Sequence, residues 1–590
     1  MNSFTKLVKK KLVEETRAND TVIMGKSKDC FDLVKIRINN KENYIGSKYN
    51  HLRDIELLLE KVKEEKSYIY FIFGLGAGEY IEPLLEKLDE KSKLIIVEPN
   101  KNIILNYFLL NKKEVNDERL IIIDFDKNLF TNVFYSYVKD ENQNDVIYSV
   151  YANYDYLFYV EYKDFLEMLR DCIRNLAINH NTYLIFSETW YYTYFKNFKS
   201  AIKSKPINLL KGIFKGKPAI VVSAGPSLEK NVHLLKNISD NFIIITGGRT
   251  LKTLLDLGVE PDFVCVVDAG EPSYLVIKDA LKYQFSSYLL FTEITNAKVV
   301  EEFPGEKVFF SVEQSTKHLL DYKVDSLYTG GSVAHTCVDF AVYLGCDNVI
   351  LIGQDLAYTE DKHHAELATF NEVDKVKNIN SEYILVNGLN GDKVKTTSVL
   401  DEFRKKFEGY FEMHKHIKFI NATEGGAFIN GAEAMTLKEA ITLYGKEKID
   451  KTKISKVLSG FEFDLELIMN NIKELAELAT RIIEKINDAK LTLERLRKKV
   501  RKGKNIGEEL KKLDEVDLYL QDKLNKYEFI NYLAYPYVYA FIVDMGYEIG
   551  DNDDEVSMVK KIYKKNKELY NLLLDLFTKT RGMLIDIFEK

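Results

Sequence analysis

The chain has 590 residues, too many for one hydrophobic core, and its 46% hydrophobic and 29% charged composition is that of a globular protein, so two to four domains are expected. A net charge of −7 argues against a duplex nucleic-acid binder, which normally presents a basic face. Five dispersed cysteines (Cys30, Cys172, Cys265, Cys337, Cys346) without a C-x-x-C pair, no signal-peptide pattern in Met1 to Glu15 and no apolar run of membrane-span length predict a reduced, cytoplasmic, soluble protein.

A charged helix opens the chain, followed by short strands between Thr21 and Tyr49. Ser67 to Phe73 is then an apolar run of buried-strand length that ends in Gly74-Leu-Gly-Ala-Gly78 and a helical pattern from Glu79. Leu94 to Val97 forms a second strand ending in Glu98, and Leu120 to Asp124 a third. The G-x-G-x-G spacing resembles the methyltransferase version of the Rossmann unit. Two readings stand: the glycines admit a ligand whose ribose Glu98 binds, or they only make a tight strand-to-helix turn. The aromatic-rich stretch Tyr148 to Tyr194 reads as a strand and long helices, and the basic linker Lys203 to Lys217 follows. Residues 1–200 are therefore expected to form one Rossmann-like α/β domain.

A second domain, residues 201–450, begins at the strand Pro218 to Val222. Its loop Ser223-Ala-Gly-Pro-Ser227 is expected to turn through Gly225 and Pro226, with Ser227 as N-cap of a helix from Leu228 to Leu235. A small-residue loop at a helix start is either an anion site or an ordinary capped start. Phe242 to Ile245 leads into Thr246 and Gly247, and Pro261 to Val267 ends in Asp268. Strands at Ser287 to Phe291, Lys307 to Phe310 and Asn348 to Ile352 complete a doubly wound, mostly parallel sheet. The turn Thr329-Gly330-Gly331-Ser332 precedes a helix containing His335, which is assigned to packing or capping.

Past the strand ending at Ile352 come Gln354, Asp355 and Tyr358, then His363 and His364 on a long polar segment reaching Ser398 with Asn-Gly turns at 387 and 390. Val399 to His414 is helical, Lys418 to Ala427 a short strand and turn carrying Glu424, and Leu437 to Tyr444 a closing helix. Residues 451–590 are expected to form a helical domain. Apolar residues from Phe461 to Val500 alternate in steps of four and three, a heptad seam that Gly503 ends, and a further helix from Glu508 makes an antiparallel hairpin. The aromatic run Tyr532 to Phe541 is assigned to buried core.

Carboxylates at strand ends, paired glycines, an anion-binding loop and histidines suit glycosyl transfer from a nucleotide sugar. Such a reaction needs a stabilised phosphate leaving group and a base near neutral pKa. His363 and His364 are the candidate bases, alongside two solvated loop histidines as the plainer reading. Asp355 and Tyr358 complete the catalytic candidates, Tyr328 and Tyr358 being possible donors to a departing phosphate. No H-x-x-H, E-x-x-H or acidic repeat suggests a metal cage, so no metal is expected.

The segments Gly225 to Leu228, Pro261 to Phe263, Tyr328 to Ser332, Gly353 to Tyr358 and Asn421 to Ala427 together resemble the motility-associated-factor (Maf) glycosyltransferases, strongly over residues 215–445. The central domain is also distantly similar to bacterial sialyltransferases, from which it departs at Ser223-Ala224 and at Thr329-Gly330-Gly331. The resemblance implies metal-independent, inverting transfer of a pseudaminic- or legionaminic-type nonulosonic acid from a CMP-sugar donor to Ser or Thr of flagellin, without a further cofactor. It implies that Ser223, Gly225, Pro226, Ser227 and Asp268 hold the CMP part. Thr329, Gly330, Gly331 and Ser332 would take the sugar carboxylate, and Thr246, Gly247, Gln354 and Glu424 join the substrate-binding set. Archaeal 6-hydroxymethylpterin diphosphokinases resemble the same domain, so an ATP- and Mg²⁺-dependent enzyme is one rival. A non-catalytic flagellin-binding protein is the other.

Overall fold

The computed structural model describes residues 2–15, 22–38, 41–63, 67–110, 117–139, 142–312, 316–358, 364–365, 368, 370, 383–524, 530 and 554–589. The chain divides into two compact units, residues 1–185 and 186–590, with the division inside the long helix Tyr159–Lys203.

The first unit is α/β. Strands β1 (Val22–Lys26), β2 (Asp32–Ile38) and β3 (Lys41–Tyr44) form a small antiparallel sheet. Strands β4 (Ile69–Phe73), β5 (Lys93–Glu98), β6 (Leu120–Asp124) and β7 (Val146–Val150) form a parallel sheet in the order β6-β5-β4-β7. Every residue of β4 and β6 is buried, which is why these strands are unbroken apolar runs instead of alternating ones: helices cover both faces.

The second unit is built on a nine-stranded sheet in which every pairing is parallel. Its strands are β8 (Lys205–Pro206), β9 (Pro218–Val222), β10 (Ile243–Gly247), β11 (Phe263–Cys265), β12 (Tyr288–Phe291), β13 (Lys307–Phe309) and β14 (Asn348–Ile352). After a separate antiparallel hairpin, β15 (Tyr383–Asn387) and β16 (Lys393–Thr397), come β17 (Lys418–Asn421) and β18 (Glu433–Ala434). The order β18-β17-β14-β9-β10-β11-β12-β13-β8 sends the chain outward from β9 to β13 and then back across to β14. The winding therefore reverses between β9 and β14, the place where open α/β sheets bind ligands. The helix Val333–Tyr343 packs on β9, β10, β11 and β14.

The architecture matches the expected fold class, with differences of detail. β8 and β18 are two residues each and carry no periodic signal. The last part of the expected polar loop before Ser398 is the hairpin, closed through residues 388–392 where the Asn-Gly pairs predicted turns. The helical portion follows the predicted seam: Ile468, Ile472, Leu475, Ala479, Ile482, Ile486, Ala489, Leu493 and Leu496 are buried along the helix Leu465–Val500. That helix packs on Gly507–Leu524, the expected hairpin partner, but more extensively on Glu555–Glu589. The aromatic run 532–541 lies outside the described residues. Among the described residues no helix is long and apolar enough to cross a membrane.

Candidate active site

Because the strands are parallel, the loops after β9, β10, β11, β14 and β17 all leave the same edge of the sheet. The loops after β9 and β14 are hydrogen-bonded to each other. Ser223 Oγ donates to Gln354 Oε1 at 2.6 Å, and the Gly225 N–H donates to Gly353 O at 2.7 Å. Asp355 is buried and accepts from Ser227 three times, from Oγ at 2.7 Å and from the N–H at 3.2 and 3.3 Å to its two oxygens. The loop after β17 closes the third side: the Ala427 N–H donates to Asp355 O at 2.7 Å, and the Gln354 N–H to Thr423 Oγ1 at 3.3 Å.

Two expectations for the serine loop are corrected. Ser227 stands at the N-cap position, but its side chain makes no capping bond; its hydroxyl is committed to Asp355, and the following helix is the single turn Leu228–Asn231 continued as 3₁₀. Gly225 is not required by a left-handed backbone. It is required by contact, since a Cβ there would lie 2.1 Å from Asp355 Oδ2 and 2.5 Å from Gly353 O. Pro226 lies between these two anchored residues.

The turn Thr329 to Ser332 reaches the same edge. Gly247, at the end of β10, would bring a Cβ to 3.0 Å from Val333 Cγ1, so the turn sits at the end of that strand. Gly330 and Gly331 both take positive φ, +45° and +85°, and Ser332 Oγ caps the helix by accepting from the Ala334 N–H at 3.4 Å. Gly330 rests on His335, which is buried, stacked on Phe407 at 3.9 Å and bonded through Nε2 to Phe403 O at 3.1 Å. Burial pushes the His335 imidazole down to about 4, so it stays neutral and serves packing, as expected.

The remaining candidates fall into two groups. Thr246 and Glu424 serve the scaffold. Thr246 Oγ1 is buried and donates to Val222 O at 3.1 Å. Glu424 Oε1 accepts from Asn231 Nδ2 and from the Leu437 N–H, both at 3.0 Å, which ties the loop to the start of the helix Leu437–Tyr444. Asp268 and Tyr358 face the edge differently. The Asp268 side chain is exposed, yet the protein around it raises its carboxyl pKa by desolvation, as in the wall of a concavity. Tyr358 is half-buried beside Tyr383, and desolvation raises its phenol.

His363 lies outside the described residues. His364 is half-buried, and the next residue, Ala365, is fully buried and donates its N–H to Ala224 O at 3.0 Å. That bond places the 364 backbone beside the serine loop.

Sequence reasoning missed two cations at this edge. Lys230 Nζ donates to Glu424 O at 3.1 Å and stands 3.4 Å from where a Gly425 Cβ would be. Lys406 Nζ stands 3.5 Å from the corresponding point on Gly331 and pairs with Glu402 at 3.1 Å. Lys230 was findable, one turn after Ser227; nothing in the sequence ties Lys406 to a turn 75 positions earlier.

The glycine loop of the first unit is filled by the unit's own tyrosines. A Cβ on Gly74 would meet the Tyr154 ring at 2.4 Å, one on Gly76 the Tyr151 ring at 2.8 Å, and one on Gly78 the Tyr107 ring at 2.5 Å. Glu98 is buried. Its Oε2 accepts from the Leu75 N–H at 2.8 Å and the Tyr154 hydroxyl at 2.6 Å, and its Oε1 from the Asn100 N–H at 2.8 Å. Of the two sequence readings, the tight turn is the one observed: the acid holds its own loop. Desolvation raises Glu98 to about 7 against the pull of these three donors. Folded Glu98 therefore keeps a proton that the unfolded chain has lost, so this unit should lose stability as pH rises from the ordinary carboxyl range to about 7. The loss has an upper size of about 3 kcal/mol, taking 1.36 kcal/mol per pKa unit. Hydrogen-exchange protection at the amides of β4 and β5, followed across that window, should show the slope, and Glu98→Gln should flatten it.

No curated protein matches the chain. The family model described as 6-hydroxymethylpterin diphosphokinase MptE-like matches residues 192–361, which hold the serine loop, Asp268, the double-glycine turn and Asp355. Among solved structures, the Maf glycosyltransferase from Magnetospirillum magneticum AMB-1 is 15% identical, with 99% of this chain and 94% of that chain covered at a TM-score of 0.56. At that identity the likeness is one of fold, and both units and the helical portion of this chain have the fold of the Maf glycosyltransferase.

Proposed function

We propose that the chain is an inverting glycosyltransferase that moves a nonulosonic acid from a CMP-activated donor to Ser or Thr of flagellin. The observation that carries this reading is the edge of the nine-stranded sheet, where the interlocked Ser223–Ser227 and Gln354–Asp355 loops meet at the switch point. The shared fold with a Maf glycosyltransferase supports the transferase class.

In this reading the acceptor hydroxyl attacks the anomeric carbon as the bond to the CMP phosphate breaks, and the hydroxyl proton passes to a histidine. Negative charge grows on the departing phosphate. Lys230, next to the serine loop, supplies a nearby positive charge to offset it. The sugar carboxylate suits the Thr329 to Ser332 turn, with Lys406 close behind. Asp355 acts through Ser227, holding the phosphate loop in one position rather than touching the donor.

His364 is the base favoured by its neighbour's anchor on Ala224. His364→Ala should lower transfer by about 10²- to 10⁴-fold while donor binding persists, and His363→Ala serves as the parallel test. Unchanged flagellin modification in both variants would remove the histidine base from the mechanism. The reading as a whole is tested by the intact mass of flagellin co-expressed with this protein and a nonulosonate pathway. A mass increment that depends on this protein is expected; its absence would sink the transferase. The family match over residues 192–361 favours one second reading, a pyrophosphate transfer from ATP to a hydroxymethylpterin. Mg²⁺-dependent ATP turnover on that substrate would decide for it.

A further inference from the structure

The helix Leu465–Val500 leaves the sheet domain where Asn471 Nδ2 donates to Leu319 O at 3.2 Å. At 1.5 Å per residue its far end, near Arg497, lies about 40 Å further along the helix axis. The charge there is unlike that of the rest of the chain. Residues 490–504 and 560–567 carry thirteen Lys and Arg and a single acid, Glu494, in a protein of net charge −7. The two stretches adjoin: Arg497 Nη1 donates to Tyr563 Oη at 3.3 Å and the guanidinium lies 4.9 Å from the Tyr563 ring centre.

Between them is a groove of about 370 Å³, lined by Asn487, Lys490, Leu491, Glu494, Tyr563 and Lys567 among others. Leu491 is 63% exposed there, an apolar side chain that the helix seam does not use. An apolar floor inside a cationic rim is a two-part recognition surface. The floor takes a bulky side chain and the rim takes carboxylates around it. The concave shape suits an inserted side chain better than a flat lipid surface.

We propose that this groove is a docking site for an acidic polypeptide segment carrying a large apolar anchor. Naming that segment as part of the acceptor protein rests on the transferase reading; the docking itself does not. A remote site of this kind raises the local concentration of the acceptor without entering the chemistry.

The test uses the full-length protein and a fluorescein-labelled peptide of alternating Asp and Glu with a central Leu-Phe pair, followed by anisotropy. Saturable binding is expected, weakened at least tenfold between about 50 and 300 mM NaCl as the rim charges are screened. A peptide with the Leu-Phe pair replaced by Ser should bind at least tenfold more weakly. The double variant Lys490→Glu/Lys567→Glu should abolish binding and Leu491→Ser should reduce it. An unchanged thermal melt for each variant keeps loss of fold out of the comparison. No binding by the peptide, equal binding by the charge-reversed variant, or tighter binding to phosphatidylserine vesicles or a single-stranded RNA oligomer would each overturn the proposal. Donor hydrolysis should be the same in the double variant and the parent, so failure of docking and failure of the transferase reading give different patterns.

Discussion

Gly225→Ala and Gly426→Ala are each expected to reduce glycosyl transfer by at least about 100-fold, a loss of roughly 3 kcal/mol of transition-state stabilisation. The reason is contact rather than composition. An alanine methyl at 225 would sit 2.1 Å from the Asp355 carboxylate and 2.5 Å from a backbone carbonyl, so either the serine loop or Asp355 must move. At 426 the obstacles are the carbonyl oxygen, Cα and carbonyl carbon of Asp355 itself, at 2.3, 2.4 and 2.7 Å, and the backbone there has φ +77°. Backbone cannot rotate away as a side chain can. Overpacking costs about 1–3 kcal/mol and a left-handed non-glycine about 1–3 more, so a lowered melting temperature accompanies the lost activity. Gly409→Ala is the control. It lies on the exposed face of the helix Ser398–Met413 with nothing within 4 Å, and should stabilise by about 0.5–1 kcal/mol with activity intact. Full activity in Gly225→Ala would mean that the loop after β9 need not touch Asp355, and the proposed site would lose its centre.

These contacts explain which parts of the site were legible beforehand. The sheet could be read because each central strand is an apolar run bounded by polar loops, and parallel strands buried on both faces leave that mark. The edge that carries the site followed from it, since Ser223, Asp268 and Asp355 all stand just past strand ends. What each side chain does there was not legible. Ser227 has the residue type and position of an N-cap, and only the fold brings Asp355, 128 positions later, close enough to take its hydroxyl. Glu424 and Thr246 share a motif or a strand end with ligand-binding candidates, yet their polar atoms hold loops and strands together. The glycine loop at Gly74 shows the same limit in the other unit. A glycine reports that something comes close, and the sequence alone does not say whether that is a nucleotide or a tyrosine from 80 positions away. The helical seam was the most faithfully legible element, because a heptad pattern is local. Its main partner, Glu555–Glu589, was not, because pairing between helices far apart in sequence leaves no periodic trace.

Tyr154→Ala should cost the first unit about 3–5 kcal/mol from packing alone, the largest stability loss expected at any single side chain discussed. Tyr154 is fully buried, stacked on Phe158 with centroids 5.2 Å apart and edge-on to Phe73 at 6.1 Å, and it fills the space that Gly74 leaves open. Its hydroxyl has two tasks besides, donating to Glu98 Oε2 at 2.6 Å and accepting from the Gly76 N–H at 2.9 Å. Tyr154→Phe keeps the ring and removes only the hydroxyl, so it should cost about 1–3 kcal/mol, the penalty of leaving buried polar partners unmet. It should also push Glu98 further up from about 7, because one of the donors that favours the carboxylate is gone, and so extend the pH-dependent loss of stability to higher pH with its onset unchanged. Since the chain has two compact units, hydrogen exchange at the amides of β4 and β5 is the suitable measurement, as a single global melt would mix them. If Tyr154→Phe is as damaging as Tyr154→Ala, the hydroxyl pairing with Glu98 and Gly76 holds the loop. If Tyr154→Ala leaves exchange unchanged, the tyrosine does not support this core, and the glycine loop regains its claim to an external ligand.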